Sequence, residues 1–120
     1  MESMVNEKIN EDDDLYRRGR IKWLNPDGTA TSRVFKLRQG KDEGKLSTDL
    51  KRLTTPEISI INKEEYNLFE ISVVEVHNLN LSVIYDGLET NIAHCYIFGM
   101  DEDDDILPGL LARKSKRVFT

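Results

Sequence analysis

The sequence predicts an α+β fold, a single domain on a mostly antiparallel sheet with two or three short helices. Three features carry this expectation. Residues 92–98 (Ile-Ala-His-Cys-Tyr-Ile-Phe) read as a strand ended by Gly99. Thr55-Pro56-Glu57 reads as a helix start: Thr55 offers an oxygen to a first-turn amide, Pro56 needs no amide partner there, and Glu57 complements the positive helix end. Asn25-Pro26-Asp27-Gly28 is a turn, with Pro26 presetting φ and Gly28 accepting a left-handed conformation.

Residues 1–14 lack apolar periodicity and read as a disordered acidic tail. The domain is expected over residues 15–112, followed by a basic tail over 113–120. Residues 16–23 hold few apolar side chains (Tyr16, Ile21, Trp23) and read as an exposed or edge strand. After the turn at 25–28, residues 29–37 are expected to return as a strand whose buried contacts are Val34, Phe35 and Leu37. Residues 39–45 form a loop. Leu46, Leu50 and Leu53 stand at i, i+4, i+7, which suits one or two helical turns, with a short extended piece as the competing reading. The helix begun at Thr55 is brief, because Ile58, Ile60 and Ile61 are β-branched.

Residues 68–79 admit two readings, one long strand or a strand followed by a helix. The second is preferred. Ser72 and Glu75 form a capping box, the helix runs from Val73 to about Leu79, and Asn80 offers a left-handed exit into a strand over 81–85. Asp86-Gly87 marks a turn. The strand at 92–98 is apolar on both faces and is expected to be central. Residues 106–112 form a short apolar closing element interrupted by Pro108-Gly109.

The net charge of −5 hides an asymmetry, for residues 17–52 hold eleven Lys/Arg against four Asp/Glu. The acidic charge concentrates at residues 11–14 and 101–105, and each run stands just before a basic one. Solvated segments that neutralise each other locally are the preferred reading, over a positive face that meets phosphate or an acidic partner. The apolar runs are far too short to span a bilayer, and the acidic N-terminus is unlike a signal peptide, so the expected location is cytoplasmic. Cys95 is the only cysteine, which excludes an internal disulfide and a cysteine-based metal site.

No phosphate loop, dinucleotide fingerprint or nucleophile elbow is present, and no cofactor or metal is expected. The run at 101–105 lacks the glycine and terminal glutamate of a calcium loop. His94 is a candidate general base, with a structural strand histidine as the preferred reading. Arg17 or Arg18, Ser47-Thr48 and Glu75 follow in an order that resembles the Arg…Ser-Thr…Glu pattern of ADP-ribosyltransferase-like enzymes. That resemblance implies an arginine on dinucleotide phosphates, a bracing Ser-Thr pair and a ribose-orienting glutamate; a Gln/Glu-x-Glu motif is missing. A broader resemblance covers residues 15–99. Leu15-Tyr16-Arg17-Arg18, Trp23, Asp27-Gly28, Phe35, residues 46–50, Thr55-Pro56-Glu57 and residues 91–94 look like a pattern shared by small bacterial proteins, and it implies a self-contained bacterial domain and no particular reaction.

The function expected from the sequence is a small cytoplasmic interaction or accessory module without catalytic activity. The sequence names no partner; another protein is the class considered, and no membrane contact is expected. The alternatives are an ADP-ribosyltransferase-like enzyme and weak nucleic-acid contact through residues 17–52.

Overall fold

Side chains alternate across a strand, so pairing register decides which residues share a face. The computed structural model describes residues 7–119. Its strands are β1 Asp14–Arg20, β2 Lys45–Leu50, β3 Tyr66–Ser72, β4 Ser82–Tyr85, β5 His94–Phe98 and β6 Lys116–Arg117. They form one antiparallel sheet in the order β4-β5-β2-β1-β3-β6. With α1 Pro56–Ile60, α2 Val73–Asn78 and α3 Leu107–Lys114, the described residues make a single α+β domain.

One face of the sheet builds the main core. Leu15 pairs with Leu50 and Ile71, and Leu46 with Ile97, which also meets Val83. Val34, Phe35, Val73, Val76 and Leu111 close over them, all buried. Each such side chain contributes about 1.5–3 kcal/mol of burial. Gly19 belongs to this face, and a Cβ there would stand 2.7 Å from a Val34 methyl. The other face is covered only in part. Ile60 of α1 packs on Tyr16 and Leu68, and the sheet beyond them stays open.

The caps at α1 and α2 form at Thr55 and Ser72 as expected, but the second half of the expected capping box does not, because the Glu75 carboxylate pairs with Lys114 at 3.6 Å. Thr55 Oγ1 accepts from the Ile58 amide at 3.2 Å, and α1 ends after five residues. Ser72 Oγ accepts from the Glu75 amide at 3.3 Å, so residues 68–79 are a strand followed by a helix, left at Asn80 with φ 62°. Gly28, with φ 87°, donates to the Asn25 carbonyl at 2.8 Å in the turn.

Other expectations need correction. β1 is not an edge strand; it lies between β2 and β3. It tolerates that place because its arginines find carbonyl acceptors: Arg17 reaches Val34 and Ser47, and Arg18 reaches Ser59. Residues 29–37 do not return as a strand. Thr31 caps a single 3-10 turn, Ser32–Phe35, which sends the consecutive Val34 and Phe35 into the same core. A strand would place them on opposite faces. Leu46 and Leu50 lie on a strand, because Leu46, Thr48 and Leu50 alternate into the core; only Lys51–Leu53 makes a 3-10 turn. β5 starts at His94 and is open on one face, where Phe98 is 47% exposed. Pro108 opens α3 rather than breaking it, and the Asp104 carboxylate accepts from the Ile106 and Leu107 amides at 2.8 and 2.9 Å.

Residues 1–6 of the expected acidic tail and Thr120 of the basic one lie outside the described residues. From Glu7 the chain already lies on the domain. Arg52 holds Glu7 at 2.6 Å and Asp13 at 2.9 Å, and Asp13 is buried. At the other end the Val118 amide donates to the Leu68 carbonyl at 2.9 Å. No described helix is long and apolar enough to cross a membrane.

Candidate functional site

The open face of the sheet carries the polar residues of its central strands. Arg18 and Arg20 on β1 alternate onto it. Tyr16 pairs with Asp49, Asp49 with His94, and Ser47 with Tyr96, so register places these side chains together. Tyr66 faces Arg20 from β3. Two adjoining clefts result, of about 140 and about 220 Å³, and Arg17, Arg18 and Ser47 line both. The first also holds Asp49, Asn91 and His94, and the second Arg20, Trp23, Lys36, Arg38, Asp42 and Tyr66.

Asp49 organises the first cleft. It is 5% exposed, and its carboxylate accepts from Ser59 Oγ at 2.6 Å and from Asn91 Nδ2 at 2.8 Å, with Arg18 Nη1 at 3.9 Å. One carboxylate thereby ties α1, β2 and the loop before β5 together. Ser47 Oγ lies 3.4 Å from His94 Nε2. His94 Nδ1 lies 3.1 Å from the Asp86 carbonyl oxygen and 3.3 Å from its carboxylate.

The second cleft is cationic. Arg17 Nε and Nη1 donate to the Val34 and Ser47 carbonyls at 2.7 and 3.0 Å. Burial, and then the adjacent Arg18, pull the Arg17 guanidinium down to about 10, which leaves it charged at neutral pH. Arg20 has no carboxylate partner among the described residues; it lies 5.8 Å from the Trp23 ring centroid and 5.5 Å from that of Tyr66. Arg38 pairs with Asp42 at 2.7 Å. Burial raises the Asp42 carboxyl, but the Arg38 hydrogen bonds and charge outweigh it and hold it below its usual value.

The acidic run at 101–105 lies beside one end of this cleft. Lys36 Nζ meets Asp105 at 2.7 Å and donates to the Asp104 carbonyl at 2.9 Å, Gln39 donates to Asp103, and the Gly40 amide donates to Glu102. This contact neutralises the Lys36 end and leaves Arg20 as the cation without a carboxylate partner among the described residues, with Arg17 and the Asp49-paired Arg18 beside it.

Of the residues singled out in the sequence, Arg17, Arg18, Ser47, Thr48 and His94 come together around the first cleft. Thr48 is a core residue, 4% exposed, whose hydroxyl has no partner among the described residues. Glu75 stands apart: it faces Lys114 at 3.6 Å on α2 and lines a separate depression with Glu70 and Lys116. Sequence reading missed Asp49, Asp86, Asn91, Arg20 and Tyr66. Alternation along β1 was the available signal for Arg20. Asp86 read only as a turn residue, because its pairing with His94 depends on the β4–β5 register. No described group of three or more His, Cys, Asp or Glu residues is placed to hold a metal. Comparison with protein-family models, with curated proteins and with solved structures finds no match to this chain.

Proposed function

We propose that this protein is a small interaction module that binds a phosphate-bearing anion in the cleft around Arg18 and Arg20. The observation that carries the reading is Arg20, a cation on an open cleft, stacked on two rings and without a carboxylate partner among the described residues. Its neighbours Arg17 and Arg18 add charge, and their planar guanidiniums suit phosphate oxygens. The buried Trp23 indole N–H lacks an acceptor among the described residues, and Trp23 lines the same cleft.

Two features favour a short ligand over a nucleic-acid strand. Arg20 lies over both Trp23 and Tyr66, on ring faces that a base would need for stacking. The acidic loop at 101–105 borders the cleft and repels an extended phosphate backbone.

Calorimetric titration with pyrophosphate tests the reading. Wild type binds, and Arg20→Ala weakens binding by about tenfold or more, the loss of one charge-assisted contact. No heat of binding at millimolar pyrophosphate, or equal affinity in Arg20→Ala, overturns it. Fluorescence anisotropy with short DNA and RNA at physiological salt is expected to show no sub-micromolar binding.

A further inference from the structure

We infer that Ser47 is a nucleophile activated by His94 and oriented through Asp86, acting on a small ester or acyl phosphate whose anionic part lies against the arginines. The inference takes only the charge of its substrate from the anion-binding reading. Its own basis is the line Ser47 Oγ, His94 ring, Asp86, with contacts of 3.4 Å on one side of the ring and 3.1 and 3.3 Å on the other.

The chain builds this line from three separate elements. Ser47 lies within β2, His94 opens β5, and Asp86 follows β4. Antiparallel pairing of β4 and β5 brings Asp86 back beside His94, and the Asp86 amide donates to the His94 carbonyl at 2.9 Å. Ser47 and His94 are diagonal neighbours across β2 and β5, within reach of a histidine side chain.

The contacts also fix the tautomer. Both groups facing Nδ1 belong to Asp86, a carbonyl oxygen and a carboxylate, and both are acceptors. Nδ1 therefore carries the ring proton, and Nε2 presents a lone pair to the Ser47 hydroxyl. A general base that takes a proton from serine needs that tautomer. The 3.4 Å separation is of the kind that tightens once a substrate is bound. Ser47 is exposed, so an acyl carbon can reach Oγ, while the His94 side chain is only 19% exposed. A cleft of about 140 Å³ has room for a small acyl group.

In the first step Ser47 Oγ bonds to the acyl carbon and its proton passes to His94 Nε2. The carbonyl electron pair moves onto oxygen, and Arg18, which lines the same cleft, faces that charge. Collapse breaks the bond to the leaving oxygen, which takes the His94 proton and departs as hydrogen phosphate from an acyl phosphate or as an alcohol from an ester, leaving His94 neutral again. Water, deprotonated by His94, then attacks the acyl-serine, releasing the carboxylic acid and restoring Ser47.

Acetyl phosphate and 4-nitrophenyl acetate are the probes, used on the full chain with intact-mass and peptide-mapping mass spectrometry. One acetyl group is expected on Ser47. Ser47→Ala abolishes it, and His94→Gln and Asp86→Asn slow it by about 10²–10⁴-fold. Circular dichroism and urea titration establish that each variant is folded, and the exposed Ser47→Ala variant serves if the histidine variant is not. No adduct at Ser47 from either probe, acetylation confined to lysines, or an adduct formed as fast in folded His94→Gln overturns the inference. Pyrophosphate binding without a Ser47 adduct also overturns it while leaving the anion-binding reading intact. A His94-dependent adduct without pyrophosphate binding supports the nucleophile and overturns that reading instead.

Discussion

Replacing Asp49 by alanine is expected to unlock the candidate site from beneath. The carboxylate is 5% exposed and takes two close hydrogen bonds, from Ser59 Oγ at 2.6 Å and Asn91 Nδ2 at 2.8 Å. In Asp49→Ala both donors lose their acceptor. A buried polar group left unpaired costs about 1–3 kcal/mol. Ser59 is 2% exposed and bears that cost fully, whereas Asn91 is half-buried and recovers part of it from water. The total comes to about 2–4 kcal/mol. At about 4 °C per kcal/mol for a chain of this size, the melting temperature falls by about 8–16 °C. Urea titration should show a lower midpoint at constant slope. If the unpaired Ser59 carries the loss, Ser59→Ala costs clearly less in the Asp49→Ala background than in wild type. A loss below about 1 kcal/mol for Asp49→Ala, or simple additivity of the two changes, refutes the reasoning.

Four further outcomes rest on other contacts of the fold. Gly19→Ala forces a Cβ to 2.7 Å from Val34 and 3.1 Å from Phe69, and should destabilise by about 1–3 kcal/mol in urea titration. Asp13→Ala removes the buried acceptor of Arg52 and of the Asn10 amide, both at 2.9 Å, and should lower stability by about 1–3 kcal/mol, read by thermal melting. Burial pushes the Cys95 thiol up from 9.0 to about 12, so the folded state holds that proton more tightly than the unfolded one. Its contribution is complete below pH 9 and is lost as pH rises toward 12, so the urea midpoint of Cys95→Ala should fall less than that of wild type over that window. Native protein at pH 8 should not react with a thiol reagent until it is unfolded.

Legibility in this chain follows the range of the interactions involved. The caps at Thr55 and Ser72, the left-handed exit at Asn80 and the turn at Gly28 each depend on partners within a few residues, and each was readable as written. The α+β class followed from their sum. The position of β1 was not readable, because its few apolar side chains suggest an edge, while acceptors for Arg17 and Arg18 lie at Val34, Ser47 and Ser59. Arg17, Arg18, Ser47, Thr48 and His94 stood out by residue type, but nothing local joined them. Ser47 and His94 are 47 positions apart, and they meet only because β2 and β5 pair in one register and share a face that α1 leaves open. Register is chosen by burial of the opposite face, where Leu46 meets Ile97 and Thr48 meets Cys95. The core thus sets where the polar residues meet, and a core contact between distant segments leaves no mark on the short stretch of sequence around either one.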